Sequence, residues 1–366
     1  MASRYAVDAD IARASTLPAA FYRDADAWDA TRERVFARSW QWLGDVADVA
    51  APATLSPRTL LPGLIDEPLL LARDSARELR CLSNVCTHRG NLLVREACVA
   101  DQIRCGYHSR RFDLAGRMTF MPEFAGAEHF PSPADDLPRV AFGQWAGLAF
   151  ASLDAAAPFD AFSGDLAAGL RAMPLDRLAH DPTRDRDYDV AAHWALYVEN
   201  YVEGFHIPFV HGALNDAVDY GSYSTTLHAL SSVQVALARD GSEAFAPARP
   251  GADGVAAYYW WVFPNLMVNA YPWGLSINHV RPVAPDRTRV AFRSYVWDAS
   301  RLDRGAGGAL DRVEREDEAI VEAVQKGVRS RLYRSGRYSP TRETGVHHFH
   351  RLLCAFLATP PGEALR

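Results

Sequence analysis

Three textures of hydrophobic and polar positions follow one another along the chain. Across residues 8–40, Phe21, Trp28, Val35, Phe36 and Trp40 recur between acids and arginines, the pattern of an N-terminal helical arm. From about 42 to 153 the apolar runs shorten and are broken by Pro, Gly and Asp. Pro68-Leu69-Leu70-Leu71-Ala72, the polar stretch 73–77 and the run 79–85 predict strand, turn, strand. Beyond an Ala/Pro/Asp linker at 154–159, helical periods mix with aromatic strands, notably 258–269, Tyr271-Pro272-Trp273 and Leu275-Ser276-Ile277, with turns at the prolines. These aromatics are expected to form core, with a substrate cavity or cationic cage as the alternative. The stretches 212–226 and 238–254 read as loops.

Two helices are predicted near the end. Over 309–333 an apolar stripe of Leu310, Val313, Ile320, Val321, Val324, Val328 and Leu332 leaves Glu314, Arg315, Glu318 and Glu322 on the solvent side. Asp317 falls inside that stripe, where an acid needs a partner. Val346, Phe349, Leu353, Phe356 and Leu357 then mark a C-terminal helix that scatters His347, His348 and His350 over different sides. His350 and Cys354, at i and i+4, are the pair best placed to chelate, but no metal site is assigned there.

Length and charge set limits. The 366 residues, 49% of them hydrophobic, suffice for two domains. The expected division is an arm over 1–40 packing on the second domain, a first domain over 41–155 and a second over 156–366. A net charge of −6 offers no footprint for nucleic acid or an anionic membrane. Lys326 is the only lysine, and the abundance of arginine reads as genome composition rather than anion recognition. The first residues lack the apolar run of a signal peptide and no stretch approaches the ~18 residues of a membrane span, so the expected location is cytoplasmic. Gly305-Ala306-Gly307-Gly308 follows Arg304 rather than a strand and lacks the dinucleotide fingerprint, so direct hydride transfer from a nicotinamide is not expected.

Two constellations carry chemistry. Five cysteines in a chain of this size point to free thiols or metal ligands rather than a disulfide framework. Cys86-Thr87-His88-Arg89-Gly90 and Cys105-Gly106-Tyr107-His108 offer two thiolates and two imidazoles from two tight loops, with Gly90 and Gly106 letting the loops turn. That is the ligand set of a [2Fe-2S] cluster in which two histidines replace two cysteines on one iron; a zinc site from the same four residues is the alternative. The stretch 199–211 sets Glu199, Glu203, His206 and His211 among apolar and aromatic residues, where ionisable groups must be paired or bound to metal. His206 and His211 would diverge by about 140° on one regular helix, and Pro208 is expected to break the helix so that they converge.

The paired Cys-x-His and Cys-x-x-His motifs, with Arg89-Gly90 after the first, and the run Glu203-x-x-His206-x4-His211 resemble the Rieske-type, ring-hydroxylating non-haem iron oxygenases. The respiratory Rieske protein fits less well, because Asn91 and Tyr107 stand where it carries an inter-loop disulfide. The resemblance covers nearly the whole chain and implies an α+β protein. An N-terminal all-β Rieske [2Fe-2S] domain would precede a catalytic domain with an antiparallel sheet and helices, of the helix-grip, START-like kind. It implies Cys86, His88, Cys105 and His108 on the cluster, and His206, His211 and Asp317 on a mononuclear Fe(II). Asp317 is preferred to Glu316 because it also matches the family's acid ahead of Val321-Glu322-Ala323-Val324-Gln325. Two histidines and a carboxylate leave open positions for O2 and substrate.

The resemblance further implies a homotrimer in which Glu203 links His206 to His108 of the partner subunit, fed by a separate flavin or ferredoxin-type reductase. Asn200 is expected to order a water or substrate near the iron. The expected function is a terminal oxygenase that uses O2 and two external electrons to hydroxylate or oxidatively demethylate a small organic molecule. Glutamate at 203, where many relatives have aspartate, resembles members acting on quaternary amines. Ring cis-dihydroxylation is the alternative, and a Rieske electron-transfer protein without oxygenase activity is the second.

Overall fold

In the computed structural model, which describes residues 4–239, 242–246 and 254–365, the chain divides after Ser39 and after Ala155. The segment between those points is built on short strands. Its apolar runs become a four-stranded sheet, in which Thr54–Leu60 pairs with Glu67–Arg73 and the latter with Leu79–Ser83, and two three-stranded sheets. Strands this short bury little alone, and they share a core of Leu55, Leu70, Leu82, Ile103, Phe112 and Leu114 that also takes in Cys86 and Cys105.

The other unit is an eight-stranded antiparallel sheet with helices. Val218–Leu227, Ser231–Ala238, Val255–Val262, Leu266–Tyr271, Gly274–Ala284 and Arg287–Val296 each pair with the next, and the last also pairs with Ala179–His180 and Arg186–Val190. Side chains alternate across a sheet, so Tyr259 and Trp261 face one way and Tyr258 and Trp260 the other. Because Tyr259 and Trp261 share a face, the aromatic run divides along the strand rather than between faces: Trp261, Phe263 and Trp273 are core, while Tyr259 and Tyr271 line a cavity.

Seven helices are described: α1 (Ala25–Thr31), α2 (Phe159–Leu170), α3 (Trp194–Tyr201), α4 (Ile207–Val210), α5 (Gly212–Ala217), α6 (Leu310–Gly327) and α7 (Thr344–Ala358). None is long and apolar enough to cross a membrane. The arm is not helical throughout 8–40. It holds only α1, flanked by the 3-10 turn Phe21–Arg23 and the π turn Arg32–Phe36, and Phe36 packs edge-on against Trp194 of α3 at 4.8 Å. The expected loop over 212–226 is instead α5 and the strand Val218–Leu227. Of the stretch 238–254, residues 240–241 and 247–253 lie outside the described residues.

α6 departs from its expected face. It stops at Gly327 rather than 333, leaving Leu332 93% exposed, and its buried residues are Glu314, Val321 and Gln325, while Ile320 and Val324 are exposed. The reason lies in the chain it meets. Tyr197 and Asn200 of α3 donate to Glu314 and Asp317, and the backbone N–H groups of Ala191 and His193 donate to Glu322 and Gln325. Polar side chains with waiting donors can be buried, and the face rotates toward them.

α7 carries the histidine tract as structure. His347 contacts the Asp8 carbonyl at 2.7 Å, and His350 lies between the Tyr338 hydroxyl at 2.6 Å and Glu199 at 3.0 Å. At the start of α7, a Cβ on Gly345 would fall 2.0 Å from the Val202 carbonyl oxygen, in the turn that delivers Glu203. Gly345→Ala is expected to destabilise the protein by about 1–3 kcal/mol through overpacking. An unchanged denaturation midpoint would show that α7 and this turn separate freely.

Candidate active site

Pro208 does not make the bend that joins the histidines. α3 ends at Tyr201, and Pro208 sits in the first turn of α4, where its missing N–H leaves no bond unmade. The chain bends again at His211, whose φ of −108° and ψ of 77° separate α4 from α5. The two imidazole centroids then lie 5.0 Å apart. From α6, Asp317 brings Oδ1 to 3.0 Å from His211 Nε2 and 3.5 Å from His206 Nε2. One donor atom from each residue lies within 4.8 Å of the others.

The outer nitrogens are held as well. Glu203 Oε1 lies 2.6 Å from His206 Nδ1, and Glu316 Oε2 lies 2.8 Å from His211 Nδ1. A carboxylate behind Nδ1 keeps the proton there and leaves Nε2 as a lone-pair donor. Glu316, the competitor of Asp317 in the sequence, thus stands behind a histidine, with Arg312 on its other oxygen at 3.0 Å. Asn200 donates to Asp317 Oδ1 at 2.6 Å, so it steadies the carboxylate directly.

Electrostatics match a cation here. Burial lowers the pKa of His211, but the hydrogen bonds and charges of Asp317 and Glu316 outweigh it and the net shift is upward. The Glu316 carboxyl is held low, first by its hydrogen bond to His211. Carboxylates crowding a buried imidazole leave the pocket short of positive charge, which a divalent metal supplies. Two nitrogens and one oxygen with an open side suit ferrous iron.

In the β unit, the loops starting at Cys86 and Cys105 close through Gly90 N–H to the Cys86 carbonyl at 3.0 Å and Ser109 N–H to the Cys105 carbonyl at 3.1 Å. The left-handed residues are Gly90, at φ +69°, and Ser109, at φ +60°, so the second loop does not turn at Gly106. Both thiols are free and buried, and the His88 and His108 rings lie 4.8 Å apart. Burial raises the Cys105 thiol, yet the Tyr107 and His108 N–H groups, Cys86 and Asn91 bring it below its ordinary value. His108 Nδ1 is buried with no hydrogen-bond partner among the described residues. An idle imidazole nitrogen beside two thiols that accept N–H bonds fits a cluster with mixed Cys and His ligation.

The triad lines a partly open cavity. Its lining includes Tyr197, Tyr201, Tyr223, Tyr259 and Tyr271, along with Asn200, Glu203 and Glu314. Sequence reasoning missed Glu314 and the supporting role of Glu316. The only local signal was an acid three residues before Asp317 and another directly before it.

Comparison with known proteins is consistent with this arrangement. Residues 39–131 match the Rieske [2Fe-2S] domain, and residues 175–359 match the ring hydroxylating alpha subunit (catalytic domain). The carnitine monooxygenase oxygenase subunit of Escherichia coli is 30% identical over 357 residues, covering 92% of each chain. The chloroplastic choline monooxygenase of Arabidopsis thaliana is 28% identical over 373 residues, covering 93% of this chain and 82% of that one. The quaternary ammonium Rieske monooxygenase CntA, whose structure bears on carnitine oxidation and inter-subunit electron transfer, shares the fold. Its TM-score is 0.74 at 24% identity, covering 96% of this chain and all of that one. With both domains matched in a single chain, the protein belongs to the ring-hydroxylating alpha subunits, the oxygenase components of Rieske systems that carry a [2Fe-2S] cluster and a mononuclear iron.

Proposed function

We propose that this oxygenase acts on a small quaternary ammonium compound, with His206, His211 and Asp317 holding its mononuclear iron and Cys86, His88, Cys105 and His108 holding its cluster. The observation that carries the substrate class is the cavity wall, which among the described residues presents five tyrosines and neither lysine nor arginine. Tyr223 and Tyr259 stand nearly parallel with centroids 6.5 Å apart, and Tyr271 meets Tyr259 edge-on at 6.1 Å. Ring faces attract cations and pack against methyl groups. A wall whose charged side chains are acids and the two histidines favours a cation over an aromatic carboxylate. The choline and carnitine monooxygenases among its relatives support the same class.

When bound, the two iron groups supply dioxygen activation and the electrons it consumes. The chain's own residues bind and orient. Glu203 and Glu316 fix the imidazoles, Asn200 holds Asp317, and the tyrosines shield the reacting carbon from water. The reading includes a separate flavin or ferredoxin-type reductase and a homotrimer in which Glu203 faces His108 of the partner subunit. Phe205 and Phe209, 41% and 79% exposed beside Glu203 and His206, support an interface there.

The test is product-coupled O2 uptake with a surrogate reductase across choline, betaines, aromatic acids and methyl ethers. Quaternary ammonium compounds are expected to be oxidised with matched O2 consumption. Coupled turnover of aromatic acids alone would replace this substrate class with ring hydroxylation.

A further inference from the structure

Among the described residues, Glu314 is the one charged side chain on the cavity wall that neither the triad nor its supports use. It is 3% exposed. Its Oε2 accepts a 2.6 Å hydrogen bond from the Tyr197 hydroxyl, and its Oε1 is buried with no hydrogen-bond partner among the described residues. Tyr197 lines the same cavity. The nearest arginine in sequence is engaged elsewhere: Arg315 lies over the Tyr188 ring at 4.8 Å and pairs with Glu318 at 2.9 Å. Burial and the charges of Asp317 and Glu318 push the Glu314 carboxyl well above its ordinary range against the opposing pull of the Tyr197 hydrogen bond and Arg315, so its ionised form stands to gain from a further positive charge.

A buried carboxyl with an idle oxygen, on a side chain that lines a cavity, is complementary to a positive ligand. A quaternary nitrogen has no N–H to donate, so only charge and surface can recognise it. Tyrosine faces supply the surface, but they also accept a neutral group of the same shape. A carboxylate is what distinguishes the cation from that neutral shape. Glu314 lies one helical turn before Asp317 and on the same face of α6, which sets the charge beside the triad.

We propose that Glu314 is the anionic anchor for the substrate's quaternary ammonium head and the residue that makes the cavity select a cation. This rests on the substrate class proposed above and names the side chain that enforces it. Glu314 is a specificity-determining residue, and Tyr197 positions it.

The test is anaerobic equilibrium dialysis of the iron-loaded holoprotein, without turnover. The probes are choline and its neutral isostere, in which a tert-butyl group replaces trimethylammonium. The native protein is expected to prefer choline by on the order of tenfold or more. Glu314→Gln keeps the shape and an acceptor for Tyr197. It is expected to bring choline to within about twofold of the isostere while leaving isostere affinity, iron content and cluster absorbance unchanged. Glu314→Asp, which keeps the charge, is expected to retain a preference for choline, and it carries the comparison if the glutamine variant fails to hold iron. A choline preference that survives Glu314→Gln overturns the anchor and leaves the substrate class standing. Equal loss of both probes assigns Glu314 to cavity shape and likewise overturns it. A native protein with no preference for the cation overturns the substrate class and the anchor together.

Discussion

Asp317→Ala is expected to remove the mononuclear iron and turnover together while the visible absorption of the Rieske cluster stays. The carboxylate is the only donor that α6 brings to within 3.5 Å of both Nε2 atoms, and Asn200 spends its amide holding it there. Partners standing behind metal ligands are worth roughly 10–100-fold in affinity or activity, so loss of a ligand should exceed ~100-fold in turnover. Glu316 is not a substitute, because its oxygens already serve His211 and Arg312. The cluster residues belong to the unit between Trp40 and Ala155, which has its own core, so their absorption is an internal control for folding. Full iron content and turnover in this variant would transfer the ligand role away from Asp317.

How much of this was legible in the sequence depended on whether the signal was local. The Cys/His loops and the Glu203-x-x-His206-x4-His211 run are short spacings, and a chain of residues can be read for them directly. The face of α6 could not be read in that way. Hydrophobic periodicity assigns carboxylates to solvent, and Glu314, Glu322 and Gln325 are drawn inward only by donors on a segment more than a hundred residues earlier. Glu316 behind His211 is the same kind of fact. Pro208 misled for a different reason: a proline reads as a helix breaker unless the start of the helix is known, and α4 begins just before it. At Gly106 the residue type suggested a turn that the backbone makes at Ser109. Each of these errors concerns how a segment meets another or where an element begins, which short spacings along the chain do not carry.

The same geometry sets the outcome at Glu203. Glu203→Gln is expected to keep both metal groups and to slow single-turnover product formation by about 10–100-fold. The glutamate works as an acceptor on both oxygens: Oε1 takes His206 Nδ1 at 2.6 Å, and Oε2 takes the backbone N–H groups of Phe205 and His206, the latter at 3.2 Å. Glutamine has one acceptor and one donor in place of two acceptors. If its oxygen faces the imidazole, its amide N–H₂ points at the N–H groups that open α4. If it faces the helix, the imidazole loses its acceptor. Either way His206 stays close enough to bind iron, but the charge-assisted link from its ring to the edge bearing exposed Phe205 is broken. That link is the proposed path to His108 of the partner subunit, so the loss belongs to electron delivery rather than to substrate binding. Rapid-quench single turnover with the cluster reduced beforehand separates the two, because it needs no reductase and starts with substrate in place. An unchanged rate there, with iron content intact, would reduce Glu203 to a support for the His206 ring.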